Sequence, residues 1–155
     1  MNNSSYITFS NCFIYSIENN TAWTTADDWN NKAWNGLNIT SGSHHVTVNA
    51  CTIRNVNFAI EMNSTENNTV QNSTIENICG DGIRPGSYAT IEYNTIKDVY
   101  ITNGNHYDLI QGFASAGIVI RGNILTNATA NRAFLDYDCQ GIGLFDGFFD
   151  NFIIV

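Results

Sequence analysis

The sequence predicts an all-β solenoid, and three observations support this fold class. A short phrase rich in Thr, Ile and Val recurs along the chain, and its apolar residues alternate with the period of two that strands require. The base period is about 22 residues, which is a typical solenoid interval. The composition includes 24 Asn, a residue suited to turns, and only 13% charged residues. An immunoglobulin-like sandwich, the main competing fold, would not repeat one phrase at this interval.

Each repeat pairs an apolar anchor in a second strand with an apolar residue five positions later in a third strand. The pairs are Phe9/Ile14, Val48/Ile53, Val70/Ile75, Ile91/Ile96, Ile120/Leu125 and Phe149/Ile154. Before the second strands lie first strands, which are centred on Leu37, Ile60, Ile83, Ile110 and Leu135. A rung therefore has three short strands, each with an aliphatic residue pointing inward. We expect about six rungs in one domain over residues 1–155, with insertions near 18–35, 99–107 and 137–147.

Three positions after each anchor, we expect small polar side chains to stack as a ladder at a bend. The residues at this position are Cys12, Cys51, Ser73, Asn94, Asn123 and Phe152. Such a ladder satisfies backbone groups that a tight corner would leave without partners. Cys12 and Cys51 fall on neighbouring rungs, at a separation of about 4.8 Å that a disulfide could span. A stacked pair of free thiols is slightly favoured, because parallel side chains do not automatically reach the bridging dihedral angle.

The repeat resembles the right-handed parallel β-helix of the pectate-lyase-like superfamily over nearly the whole chain. In addition, residues 106–111 (His-Tyr-Asp-Leu-Ile-Gln), followed by residues 118–123, resemble a phrase found in many bacterial secreted β-helix proteins. Leu109 stands where Gly is more usual in that phrase. The resemblance implies action on extracellular polysaccharide and an extracellular or cell-surface location. It does not imply one reaction, because the fold hosts lyases, hydrolases, epimerases, esterases and phage tailspikes.

Charge and hydropathy exclude some partners. The net charge is −8 with six basic residues, so nucleic acid and anionic membranes, which are bound through dense positive charge, are poor partners. No apolar run is long enough to insert into a membrane, and no signal peptide is visible.

The chain starts almost in a strand and ends on the apolar residues 152–155, which indicates a fragment of a longer β-helix. We expect its open ends to stack on further rungs or to self-associate.

The outward residues of the first strands form a candidate site, which we call the first-strand strip. It combines outward residues with acidic residues and a histidine nearby: Glu61, Arg84, Gln111, Asp136, Asp81, Asp108, His106 and Asp138. Charges are scarce elsewhere, so their concentration here favours a functional face. By position, the strip resembles the substrate groove of pectate-lyase-like enzymes.

Two catalytic chemistries fit this strip. For β-elimination of a uronate, Arg84 or His106 would act as the base, and Gln111 would contact substrate. Carboxylates would hold Ca²⁺, and the candidate ligands are Glu61, Asp81, Asp136 and Asp138. For glycoside hydrolysis, Asp81 and Asp108 on neighbouring rungs would be close to the retaining separation of about 5 Å. The structural alternative is that Asp81 and Asp108 cap turns, while Arg84 merely neutralises Glu61.

All three tryptophans, Trp23, Trp29 and Trp34, lie in the insertion at residues 18–35. Exposed Trp rings on a loop could stack on sugar rings, although they could instead pin the loop to the wall of the solenoid.

Two functions therefore stay open. One is a lyase-type or related enzyme that acts on polysaccharide, and the other is a non-catalytic module that binds glycan or spaces other domains.

Overall fold

The computed structural model describes residues 1–100, 102, 107–126, 139–145 and 147–155. In these residues, equivalent short strands of successive rungs stack to form three parallel sheets. The second-strand sheet contains β1 (Thr8–Ser10), β4 (Thr47–Asn49), β7 (Thr69–Gln71), β10 (Thr90–Glu92), β13 (Val119–Arg121) and β16 (Ile153–Ile154). The third-strand sheet contains β2 (Phe13–Tyr15), β5 (Thr52–Val56), β8 (Thr74–Ile78), β11 (Thr95–Val99) and β14 (Ile124–Thr126). The first-strand sheet contains β3 (Leu37–Asn38), β6 (Ile60–Glu61), β9 (Ile83–Arg84), β12 (Asp108–Phe113) and β15 (Gln140–Phe145). The predicted parallel β-helix of about six rungs is confirmed.

The core is a set of aliphatic columns that run along the axis between the three sheets. In the middle rungs the register aligns Val48 with Val70 and Ile91, and Ile60 with Ile83 and Ile110. These residues are fully buried. Each strand contributes one inward aliphatic residue per rung, so hydrophobic burial fixes the register. A shift by one residue would turn every such side chain to the surface.

The predicted register of the last rung is wrong. Ile154, not Phe149, aligns with Ile120 in the second-strand sheet, so the described chain ends in a second strand rather than a third. In the first-strand sheet, Ile142 takes the position next to Ile110 that we expected for Leu135. Residues 140–145 form β15 rather than an insertion. The glycines at 141 and 143 suggest a loop in sequence, but pairing along β12 overrides their weak strand propensity.

A ladder of side chains occupies the bend after the second strands, as the sequence predicts for the middle rungs. The Oδ1 atom of Asn123 accepts from the N–H of Asn94, whose own Oδ1 accepts from the N–H of Ser73. The Ser73 hydroxyl accepts in turn from the N–H of Cys51. Phe152 does not continue this ladder, because the last rung is out of the predicted register.

The bends are sharp because one residue in each adopts a left-handed conformation. After the second strands these residues are Asn11, Ala50, Asn72, Tyr93 and Gly122, with φ between 53° and 61°. A similar column precedes the second strands, at Tyr6, His45, Asn67, Tyr88 and Gly117. Asn tolerates this conformation, which explains Asn at positions 11, 67 and 72 of these columns.

The first insertion contains a short helix, α1 (Ala26–Lys32), where the sequence analysis anticipated only a loop. Thr25 caps its N-terminus, and the Asp28 carboxylate accepts from the Thr25 N–H to complete a capping box. The salt bridge to Lys32 holds the pKa of Asp28 well below its ordinary value, and hydrogen bonds with Thr25 lower it further.

Within the described residues, no helix has the length and hydropathy that crossing a membrane would require.

We expect Asn94→Ala to lower the free energy of unfolding by about 2–3 kcal/mol, because it removes hydrogen-bond partners from the buried Ser73 N–H and Val70 carbonyl. Denaturant unfolding measures the change. Asn38→Ala, at an exposed position, is the control and should change stability by less than about 0.5 kcal/mol. Asn94→Ser should recover part of the loss, since Ser73 serves the ladder one rung away. Equal stability of the Asn94→Ala and Asn38→Ala variants would contradict the ladder's contribution.

Candidate functional site

Arg84 is the centre of an ion cluster on the first-strand face. Its Nε atom lies 2.5 Å from Oδ2 of Asp81, and its Nη1 atom lies 3.1 Å from Oε1 of Glu61 on the preceding rung. The Asp81 side chain is fully buried, whereas 20% of the Arg84 side chain is exposed. Asn35 adds a hydrogen bond of 2.8 Å to the other oxygen of Glu61. The two carboxylates therefore share one guanidinium, which leaves the cluster with one negative charge.

Aromatic rings enclose the Arg84 guanidinium. Its Cζ atom lies 3.9 Å from the ring centroid of Phe58 and 5.3 Å from that of Phe113. Such contacts are attractive for a cation and keep water from the guanidinium. Arg84 would have to leave both rings and both carboxylates before it could act as a base. These contacts match the structural alternative, in which Arg84 neutralises its neighbours.

The predicted alignment of Asp81 with Asp108 on adjacent rungs is confirmed. Oδ1 of Asp81 accepts from the Asp108 N–H at 2.9 Å, and the Asp108 carbonyl accepts from the Gly82 N–H at 2.9 Å. Both aspartates are buried, and so is Gln111. Asp81 thus holds the start of the next first strand, which is the turn-capping role. In this conformation a bulky substrate has no direct access to these side chains.

Several predicted site residues lie outside the described residues. His106, Asp136 and Asp138 are among them, so their roles stay predictions. The register corrects one detail, because the outward position next to Gln111 is Gly143 rather than Asp136.

The described part of the strip does not fit Ca²⁺. A calcium ion takes six to eight oxygen ligands, and both Glu61 and Asp81 already bind the cationic Arg84. Across the described ranges, no three His, Cys, Asp or Glu side chains come close enough together to hold a metal. We therefore derive no metal-dependent step from these residues.

Two of the three tryptophans pin the insertion to the solenoid wall, which corrects the sugar-stacking roles predicted for them. Trp29 is only 2% exposed, and it stacks on Tyr100 at 4.7 Å between ring centroids. Trp23 is buried against Trp29 and Cys79. Buried rings cannot offer a face to a ligand. Trp34 is different, because it is 77% exposed at the edge of the first-strand face, next to Asn35.

A groove that the sequence analysis missed lies along the other edge of the first-strand face. It consists of two adjoining cavities of about 270 and 220 Å³, which share Ser64, Thr65 and Ser87. The other lining residues are Gly42, Ser43, His44, Glu66, Asn63, Pro85, Gly86, Phe113, Ala114 and Ser115. We call it the hydroxyl groove. Phe113 belongs both to this groove and to the surroundings of Arg84, so the two features are continuous.

The hydroxyl groove follows the axis because equivalent residues stack on successive rungs. Backbone bridges connect His44 to Glu66 and Glu66 to Ser87. A signal for the groove exists in the sequence. Small hydroxyl residues recur five positions before several second-strand anchors, at Ser4, Ser43, Thr65 and Ser115. Buried Thr65 and Ser115 donate to nearby carbonyls, and buried Ser43 accepts from the Ser4 N–H on the preceding rung. By contrast, Asn63, Ser64 and Glu66 are exposed.

Comparison with protein families matches residues 1–153 to the family described as "Right handed beta helix region". The chain belongs to this family. No curated protein and no solved structure matches the β-helix significantly. Family membership agrees with the three parallel sheets and does not by itself identify a reaction.

We expect Arg84→Ala to destabilise the β-helix by about 2–4 kcal/mol, because the buried Asp81 carboxylate would lose its cation. Lys97→Ala, which breaks the more exposed pair with Glu76, is the matched control and should cost at most about 1 kcal/mol. Denaturant unfolding compares the two. The double variant Arg84→Met with Asp81→Asn should be more stable than Arg84→Ala. A loss for Arg84→Ala no larger than for the control would show that the cluster does not stabilise the fold.

We expect Trp29→Ala to release the insertion at residues 18–35, with a loss of about 3 kcal/mol from the local packing. Limited proteolysis should then cut within this insertion at least tenfold faster than in the parent chain. Trp34→Ala removes an exposed ring and should leave the cleavage rate unchanged. Equal protection of the two variants would refute the different roles of the two rings.

Proposed function

We propose that this β-helix binds a neutral glycan chain that lies along its axis across the first-strand face. The main supporting observation is the hydroxyl groove, which runs over several rungs beside the polar strip. Ligand sites combine apolar contact with a few well-placed polar groups, and this face offers both. An extracellular or cell-surface setting, where such polymers occur, is part of the proposal.

Exposed polar side chains in the groove suit sugar hydroxyls. Asn63, Ser64 and Glu66 together supply donors and acceptors on one rung, and half-exposed Ser87 extends them to the next. Because the rungs repeat at about 4.8 Å, a chain of repeating units can meet similar groups at regular intervals. The regular scaffold therefore favours an extended polymer over a compact ligand.

Aromatic residues border the face on both sides. Trp34 lies at one edge, and Tyr88, which is 54% exposed, follows Ser87 at the groove. Flat aromatic rings at the edge of a polar surface suit the C–H faces of sugar rings. We assign Trp34, and not Trp23 or Trp29, to substrate contact.

Charge favours a neutral glycan over a polyuronate. The chain carries a net charge of −8, the Arg84 cluster is itself negative, and Glu66 adds a carboxylate to the groove. A polyanion would meet like charge along this path. A uronate lyase would need a base and a bound cation. The candidates for these roles that are not already engaged with Arg84 are His106 as the base and Asp136 and Asp138 as cation ligands.

Tyr88→Ala tests the proposal against a matched control, Tyr93→Ala. Both tyrosines have left-handed backbones with φ of 56°, similar exposure of 54% and 56%, and a ring that packs over a glycine of the next rung. Tyr88 borders the groove, whereas Tyr93 lies at the bend on the far side of the second strand. The measurement is calorimetric titration with a panel of neutral polysaccharides and polyuronates, with product analysis of each mixture.

We expect the parent chain to bind at least one neutral polysaccharide, and Tyr88→Ala and Trp34→Ala each to weaken this binding about tenfold, which corresponds to about 1.4 kcal/mol. Tyr93→Ala should bind like the parent. Binding that is lost equally in both tyrosine variants would place the glycan elsewhere. Preference for polyuronates with release of unsaturated products would overturn the proposal in favour of a lyase.

A further inference from the structure

Cys12 and Cys51 stack on each other at the bend after the second strand of the first two rungs. The pairs Ser10–Asn49 and Phe13–Thr52 flank them in register, and the Thr52 N–H donates to the Cys12 carbonyl at 2.8 Å. This pairing places the two Cα atoms about 4.8 Å apart. The separation lies within the range of about 4.4–6.8 Å that disulfides span.

The sulfur atoms of Cys12 and Cys51 lie close to the backbone of equivalent bends on successive rungs. The Cys12 thiol is 3.6 Å from the carbonyl oxygen of Ser10, and the Cys51 thiol is 3.4 Å from that of Asn49, the equivalent residue one rung on. The Cys51 thiol also lies 3.6 Å from the carbonyl oxygen of Phe9 on the rung of Cys12. Both are reduced thiols in this structure.

Access to the pair is one-sided. Cys12 is partly exposed, whereas Cys51 is buried. Burial is the main cause of the raised pKa of the Cys51 thiol, and the neighbouring Cys12 contributes to the rise. A reagent in solution therefore meets Cys12 first.

We propose that Cys12 and Cys51 form a reversible disulfide that joins the first rung to the second. The Cys12 thiolate attacks a low-molecular-weight disulfide, forms a mixed disulfide and releases one small thiol. The Cys51 thiolate then attacks the Cys12 sulfur and releases the second small thiol. Two protein thiols are oxidised, the small disulfide is reduced to two thiols, and the two protein protons pass to those products.

The bond would close a loop that contains the whole Trp-bearing insertion. Residues 18–35, helix α1 and the exposed Trp34 all lie between the two cysteines in sequence. Closing a loop of this length restricts the unfolded chain and stabilises the folded one. The redox state would thereby set how firmly the first rung, one edge of the proposed glycan face, is held to the rest of the stack.

Incubation of the purified chain with oxidised glutathione, followed by unfolding and alkylation of remaining thiols, tests the inference. Intact mass should show two alkylated thiols together with the loss of two hydrogens, and peptide mapping should show Cys12 linked to Cys51. The unfolding temperature should rise on the order of 5 °C and return to its starting value after reduction. Formation should accelerate as pH rises, because the thiolate fraction increases.

Cys12→Ser and Cys51→Ser should each abolish the linked peptide and the temperature shift. Serine suits both positions, because Ser73 occupies the same place in the ladder. Cys139→Ser is the control and should behave as the parent. A stable mixed disulfide at Cys12, four alkylated thiols after oxidation, or a linked form that unfolds at a lower temperature would each refute the proposal. Loss of glycan binding by Tyr88→Ala does not involve these thiols, so the two proposals fail independently.

Discussion

Hydrogen bonding between successive rungs is the constraint on which this structure depends. At the bends of Cys51, Ser73 and Asn94, the backbone N–H has no strand partner, and a side chain of the following rung accepts from it. An unpaired buried N–H would cost about 1–3 kcal/mol at each of these rungs. Register then follows from the aliphatic columns, since only one alignment keeps Val48, Val70 and Ile91 inside together. These two requirements also determine which side chains align on the outer faces of successive rungs.

Sequence periodicity predicted the fold well because the middle rungs share the same two requirements, an inward aliphatic residue and a polar residue at the bend. Val, Ile and Thr alternate in the strands, and small polar residues recur at the bend, so the middle rungs were placed in their correct register. The last rung failed for a physical reason. Phe149 and Ile154 satisfy the spacing of an anchor pair by composition alone, while pairing of Ile154 with Ile120 decides their position. The strand at Gln140–Phe145 fell within the insertion predicted near 137–147, because propensity is local and strand pairing is not.

The site was less predictable than the fold. Alternation correctly placed Glu61 and Arg84 on one outer face, and alignment of rungs brought Asp81 beside Asp108. Side-chain conformation decided the rest. Sequence could not show that Arg84 is enclosed by two rings and two carboxylates, or that Trp29 turns inward while Trp34 turns outward. The hydroxyl groove depends on bends that vary in length between rungs, so its recurrence is visible only when counted from the second-strand anchors.

The left-handed bends make neighbouring rungs non-interchangeable. The ring of Tyr88 occupies the space where a side chain at position 117 would begin, since a Cβ there would lie 2.4 Å from the ring. Tyr93 restricts position 122 in the same way, at 2.7 Å. At these two bends a tyrosine ring thus covers a glycine of the next rung, whereas Tyr6 in the same column as Tyr88 stacks on His45. Duplication of a rung whose tyrosine ring covers the next bend would place tyrosine above tyrosine, so either that ring would have to turn aside or the copied position would have to become glycine.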